Sequence, residues 1–445
     1  MTANCTLQIH VDGGWRDVAS VSLFGPEESG WKAASYSGYT TDWALEHASA
    51  SDAHALCAGW PVGLEPLQLP HWPVFLIDLL PQGFGRAELL RRLNLPVTSG
   101  AATDWRLLLA GAGNPIGNLR VKEAAEWIRQ DPGPSRGFTD DEVAARSDGF
   151  AEYLASHGLF VAGSSGVQGE WPKVLLTRAK DGLLYLDHTL GDDQAVEHYI
   201  VKFGRGADRQ LAHILKLEAP YMDIAAFLGL RVHAPLKLRE RALFIPRFDR
   251  RVQGQSVIRL AQESIATLTG IPGFEAVPDH YQVCRALIRH CTNPQDEVLE
   301  YIKRDVANLA FGNKDNHARN TAVQRKFDGR IALTPLYDFA PMYLHPDGIA
   351  RRIRWSHDDQ GGQPNWSLVL DRVCELGALA QKEGRKRIKG RPLIQREYLV
   401  AGLKAMAPAL EDMATQGERF GLDAGTLHHL RPGILARAQE LADLT

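Results

Sequence analysis

The feature that most constrains this chain is the stretch 309–343, LAFGNKDNHARNTAVQRKFDGRIALTPLYDFAPMY. An apolar lead-in delivers the backbone to Asn313-Lys314-Asp315-Asn316-His317-Ala318-Arg319-Asn320, a dense polar run. Strand-like alternation over 321–323 follows, then a turn at Phe327-Asp328-Gly329-Arg330 and the apolar Ile331-Ala332-Leu333. That pattern predicts a hairpin. It returns the chain to a second carboxylate, Asp338, so two acids and an amide gather at the ends of one small hairpin. Transfer of a phosphoryl group from a nucleotide needs such a set. One carboxylate orients the accepting hydroxyl and takes its proton, while an amide and a second carboxylate hold Mg²⁺ against the phosphates. Taken alone, the same Asp and Asn serve equally well as caps of local turns.

The spacing Asp315-x4-Asn320 equals that of base and metal amide in the protein-kinase catalytic loop. Asp338-Phe339 stands where a kinase places Asp-Phe-Gly, with Ala340 in place of the glycine. His317 makes the loop Asp-x-His-x-x-Asn, which resembles the phosphoinositide-kinase loop.

Upstream, residues 163–170 (GSSGVQGE) are rich in small residues and lead into Pro172-Lys173-Val174-Leu175-Leu176. A glycine loop entering a strand lets backbone N–H groups approach phosphates; a surface turn has the same composition. After an Asp181-Gly182 turn, the apolar Tyr199-Ile200-Val201 closes on Lys202, placed like the phosphate-clamping lysine of a kinase small lobe. Helical periodicity over 211–228 puts Glu218 among apolar positions, where an acid needs a partner. Lys202 is one candidate, by analogy with the strand-lysine to helix-glutamate pair of kinases. A second hairpin over 230–238 and 242–248 ends in Ile245-Pro246-Arg247-Phe248-Asp249-Arg250-Arg251. This is a crossing between lobes, where an adenine would pair with backbone groups of Pro246 and Phe248.

The remaining organisation is simpler. Residues 1–60 alternate as β structure, and 83–95 and 105–110 read as helices. Residues 131–137 (DPGPSRG) are the best linker, followed by a helix from Thr139 or Asp140. Beyond Arg251 helices are expected over 261–268, 280–291, 293–309 and 368–381, and from 397 onward. The run 382–391 carries six cations and one acid, a phosphate-gripping segment or a solvated loop. At 445 residues the chain has room for several domains. Its net charge of −3 demands neither nucleic acid nor an anionic membrane. The absence of an apolar span or a basic-then-apolar leader makes the cytoplasm the expected location and a membrane role unexpected. Five scattered cysteines without a CxxC pair suit buried thiols, with Cys284 and Cys291 in core packing.

The parts in order resemble the HipA family of bacterial serine/threonine kinase toxins, over nearly the whole chain. Leu79-Leu80-Pro81-Gln82-Gly83 with Arg86, Gly166-Val167-Gln168 and Pro172-Lys173 are similar to family motifs. So are Arg247-Phe248-Asp249-Arg250, Gln262-Glu263, Gly312-Asn313-x-Asp315-x-His317-x-x-Asn320 and Leu336-Tyr337-Asp338. The resemblance implies an α+β, bilobal protein-kinase-like fold. An N-terminal subdomain (1–135) would precede a β-rich small lobe (136–248) and a mostly helical catalytic lobe (249–445).

It further implies Asp315 as catalytic base and Asn320 and Asp338 as Mg²⁺ ligands. ATP would meet Ser165, Gly166, Val167, Gln168, Lys173, Lys202, Pro246, Phe248, His317, Asn320, Tyr337 and Asp338. Autophosphorylation would fall on Ser164 or Ser165. The implied partners are a protein substrate, an aminoacyl-tRNA synthetase in better-known members, and a small helix-turn-helix antitoxin through which DNA is met indirectly. Two departures stand out. The family's glutamine-proline-lysine run is stretched to Gln168-Gly169-Glu170-Trp171-Pro172-Lys173, which leaves the phosphate contact open between Lys173 and Lys202. The paired serines leave the modified position open. Rival readings are a kinase-like module of low activity that binds partners as a co-repressor, and a small-molecule or lipid kinase.

Overall fold

The computed structural model describes residues 3–96, 100–130, 135–156, 171–204, 208–275, 277–385 and 392–445. The expected glycine loop, with Ser164, Ser165, Gly166, Val167 and Gln168, lies outside the described residues, as do 131–134 of the linker and 386–391 of the basic run.

The alternating N-terminal segment forms an antiparallel sheet in the order β4-β3-β2-β1-β5. Its strands are β1 (Asn4–Val11), β2 (Gly14–Leu23), β3 (Ser35–Tyr39), β4 (Leu67–Leu69) and β5 (Leu119–Val121). Leu7 and Ile9 of β1, two apart, are fully buried, as the period of two requires, and Val18 and Val21 of β2 join the same core. A short helix, Thr41–Glu46, interrupts this β-rich opening. The helices Val74–Asp78, Gly83–Arg92, Asp104–Gly111 and Lys122–Gln130 complete the region. The helix expected near Thr139 is Asp140–Ala144, started by a capping box in which Thr139 and Glu142 satisfy each other's backbone N–H groups.

A second antiparallel sheet follows, β7-β6-β8-β10-β9, built from β6 (Lys173–Ala179), β7 (Leu184–Leu186), β8 (Ala195–Phe203), β9 (Lys237–Arg239) and β10 (Ala242–Pro246). One apolar core joins it to the first sheet: Val174, Val201 and Phe244 belong with Leu7, Leu76 and Leu108. Between β8 and β9 runs the helix Arg209–Phe227. Asp208 caps it by accepting from the N–H groups of Gln210 and Leu211, at 2.8 and 3.0 Å. Such a cap stabilises a helix by ~1 kcal/mol.

The rest is mostly helical around a second core that includes Tyr221, Leu287, Val306 and Trp355. After a two-stranded ribbon, β11 (Arg250–Gln253) and β12 (Ser256–Arg259), the predicted hairpin is present as β14 (Ala322–Arg325) and β15 (Ile331–Leu333). Three sequence expectations need correction. Residues 261–268 are not one helix: Ala261–Ser264 is a strand, β13, pairing with β14, and only Ile265–Thr269 is helical. A free edge beside β14 outweighs the helical pattern, since tertiary pairing overrides local propensity. The second hairpin is shorter than expected, its first strand being only Lys237–Arg239. The C-terminal helix is three helices, Arg396–Lys404, Ala407–Gln416 and Ala424–Ala442. The second opens with Pro408 in its first turn, and Gly421 takes a left-handed φ of 91° before the third. All five cysteines are free thiols, four of them buried. Among the described residues, no helix is long and apolar enough to cross a membrane.

Candidate active site

The polar run begins where the helix Pro294–Ala310 stops. Gly312 turns the chain with a φ of 66°, and a Cβ there would lie 2.6 Å from the Tyr343 ring. Only glycine fits both constraints. Beyond it, Asn316 clasps a distant segment: its Oδ1 accepts from the N–H groups of Arg352 and Ile353 at 2.9 and 3.3 Å. Its Nδ2 donates to the carbonyl of Ile353 at 2.9 Å. The side chain of Asn320 turns back, Nδ2 donating to the carbonyl of Asp315 at 2.9 Å. These bonds fix the loop between the two carboxylates.

At the far end of the hairpin, Asp338 adopts a φ of 56°, a conformation that costs a non-glycine residue roughly 1–3 kcal/mol and clusters at functional sites. Its Oδ1 accepts from Nζ of Lys202 at 3.1 Å, and Lys202 also donates to Glu218 at 2.6 Å. The partner expected for Glu218 is therefore the observed one. Lys173 pairs directly with Lys202 in the β6–β8 register and lies 3.7 Å from Oδ2 of Asp338. Both lysines reach the same carboxylate, so the geometry does not separate them as phosphate contacts. Trp171, from the stretched segment, places its ring 5.3 Å from Nζ of Lys202.

Burial and charge act in opposite directions on these groups. Burial disfavours the Lys202 ammonium, but Asp338 and Glu218 outweigh it and raise its pKa. Burial likewise opposes the Asp338 carboxylate, yet Lys173 and Lys202 hold it well below the ordinary range. Glu218, sharing its lysine with a second acid, is pushed up by burial. His317 lies 3.7 Å from Asp315. Desolvation lowers its pKa against the pull of Asp315 and Asp338, so the imidazole is neutral at neutral pH.

Two adjoining clefts meet at Asp338. The first is lined by Lys173, Glu218, Asn320 and Asp338, by the apolar Ile200, Met222, Leu236, Ile245, Phe248 and Leu336, and by the charged Arg247, Asp249 and Arg319. Pro246 and Tyr337 also face this cleft. The Phe248 ring lies 5.9 Å from that of Tyr337, and its carbonyl accepts from the Gln324 side chain at 3.3 Å. The second cleft holds Asp315 and His317 together with both lysines, Trp171 and Arg352. The fold thus gathers every described candidate residue around Asp338. Sequence reasoning missed the Asn316 clasp and the Trp171 ring. Asn316 stood in plain view in the polar run, but nothing local announced a partner at 352–353.

Comparison with known proteins places the chain as a whole. The profile of the HipA-like C-terminal domain matches residues 165–390, just over half of the chain. The protein Y4mE of Sinorhizobium fredii, provisionally called a kinase, is 25% identical over 414 residues, covering 86% of this chain and 89% of its own. The HipA of Shewanella oneidensis, solved with HipB and operator DNA, superposes with a TM-score of 0.65 over 99% of this chain and 100% of its own. At 19% identity it speaks for the fold alone. With the profile spanning the second sheet, the polar loop and both carboxylates, this chain belongs to the HipA-like family.

Proposed function

We propose that this protein is an ATP- and Mg²⁺-dependent serine/threonine protein kinase of toxin type. The observation that carries the reading is Lys202, which bridges Glu218 and Asp338 at 2.6 and 3.1 Å beside the cleft that also holds Asn320. Cationic and carboxylate groups beside apolar side chains in one cleft suit a nucleotide, the first for its phosphates and the second for its base. Asn320 and Asp338 fit a magnesium site. Nδ2 of Asn320 is committed to the loop backbone, which leaves Oδ1 as the ligand atom, and Mg²⁺ takes few protein oxygens beside water and phosphate. Bound there, the ion would offset charge on the phosphates.

The chain's own residues supply the rest. Lys202 and Lys173 hold phosphate oxygens, the apolar side chains grip the base, and Asp315, in the second cleft, takes the proton of the accepting hydroxyl. The wider organisation follows the same reading: a bilobal kinase with units at 1–135, 136–248 and 249–445, and a self-phosphorylation site at Ser164 or Ser165. A small DNA-binding antitoxin is the proposed partner, and a translation protein such as an aminoacyl-tRNA synthetase the proposed substrate.

The test is incubation of the full chain with labelled ATP, Mg²⁺ and a cell lysate. Label should enter protein, not lipid or small molecules, and Asp315→Asn should lower transfer by roughly 100-fold or more while ATP still binds. Transfer only to lipid or metabolite would overturn the protein-kinase reading.

A further inference from the structure

A second polar knot starts outside the clefts and reaches into them. Asp78 ends the helix Val74–Asp78 of the N-terminal region. Its Oδ2 accepts from the N–H of Ser264 at 3.1 Å and from Oγ1 of Thr267 at 2.7 Å, and its Oδ1 accepts from Oγ of Ser264 at 2.8 Å. The same Oδ1 lies 3.4 Å from Nε of Arg319, the residue immediately before Asn320. Nε of Arg319 is buried without a hydrogen-bond partner among the described residues, so Asp78 is the anion that faces it. The other two guanidinium nitrogens donate to the carbonyls of Phe274 and Gly273, at 2.8 and 3.1 Å. The backbone carbonyl of Arg319 accepts from the Tyr337 hydroxyl at 2.9 Å, one residue before Asp338. Arg319 also lines both clefts. A chain of contacts therefore runs from Asp78 through Arg319 to the backbone that carries Asn320 and to the strand end that carries Asp338.

We infer that Asp78 is a positioning residue for phosphoryl transfer: from the N-terminal region it fixes Arg319, and through it the polar loop. The inference rests on the kinase reading above. A guanidinium with two nitrogens on fixed carbonyls and the third against a carboxylate has one orientation open to it. Removal of the Asp78 charge frees that third side, and a small displacement of a reacting group is enough to slow chemistry by about 100-fold. Binding of ATP in the absence of Mg²⁺, which draws on the lysines and the apolar side chains of the first cleft, should be spared. A purely structural role for Asp78 predicts otherwise: activity would then follow stability, whichever bond of the knot was cut.

The experiment compares the full chain with Asp78→Asn, Asp78→Glu and Thr267→Val, measuring kcat, ATP dissociation constant and melting temperature for each. Asp78→Asn should lower kcat by about tenfold to 100-fold with the affinity for metal-free ATP unchanged, and Asp78→Glu should restore part of the loss. Thr267→Val, which cuts the knot without touching Arg319, should lower the melting temperature and keep kcat. Parental kcat in Asp78→Asn overturns the inference, as does an equal loss of kcat in Thr267→Val. Should Asp78→Asn not fold, Arg319→Gln breaks the pair from its other end, and parental kcat there overturns it equally. An inactive parental chain overturns the kinase reading together with this inference; an active parent with an unaffected Asp78→Asn overturns this inference alone.

Discussion

Two sets of buried charges in this protein are held in different ways. In the cleft, Lys202 and Lys173 answer to Asp338 and Glu218, side chain to side chain. At the seam between the N-terminal region and the rest, buried arginines answer to backbone carbonyls as well as to carboxylates. Arg250 donates to the carbonyls of Gly117 and Pro115 at 2.7 and 2.9 Å, and Asp249 accepts from the N–H of Gly117 at 2.8 Å. Arg247 locks Asp249 from both oxygens, at 2.9 and 2.7 Å. Arg325 donates to the carbonyls of Asp52, Ala55 and Leu56 and lies 3.2 Å from Glu263. A carboxylate held by flexible ammonium groups can exchange partners when phosphate or a cation arrives. A guanidinium bonded to fixed carbonyls cannot. The first arrangement suits chemistry and the second suits construction.

The comparison breaks most visibly at Asp249. Asp249→Ala leaves two buried guanidiniums without their shared carboxylate and should cost about 3–5 kcal/mol of stability, read from urea denaturation. Glu218→Ala should cost less, because among the described residues Glu218 pairs with Lys202 alone where Asp249 answers both Arg247 and Arg250. Equal losses in the two variants would erase the distinction between seam and cleft.

A pH series sharpens it. Burial pushes Glu263 to about 6 against the pull of Arg325. A carboxyl whose folded pKa is raised binds its proton more tightly in the folded state. Its contribution to stability is therefore full below the unfolded value near 4.5 and is lost as pH rises through about 6. Between those limits the parental chain should lose ~2 kcal/mol relative to Glu263→Gln. A pH-independent difference between the two proteins would show that Glu263 does not titrate in this window.

The smallest expected effect lies in the cleft. Asp338→Ala should weaken Mg·ATP binding by roughly tenfold, and Asn320→Ala by less, since a neutral amide contributes less to a hard cation than a carboxylate. Both variants should melt closer to the parent than Asp249→Ala does. Unchanged affinity in both titrations would move the cation site elsewhere.

The polar loop and the hairpin behind it were legible in the sequence because their chemistry is local. A turn signal and strand alternation suffice to bring Asp315, Asn320 and Asp338 to one hairpin. Glu218 among apolar neighbours announced a buried partner, and Lys202 proved to be it. The helix expected over 261–268 failed for the opposite reason: whether Ala261–Ser264 is a strand depends on β14, some 60 residues later, and no local pattern carries that information.

The sequence by itself determined which groups could do chemistry and their spacing along the chain, since residue type and turn-forming preference are properties of short segments. Tertiary structure alone decided that Lys173 and Lys202 share Asp338, that Asn316 grips residues 352–353, and that Asp78 faces Arg319. Those pairings join positions 29 to 241 residues apart in the chain or set a strand register. They exist only once packing has removed water and left each buried charge only the partners that the fold brings within reach.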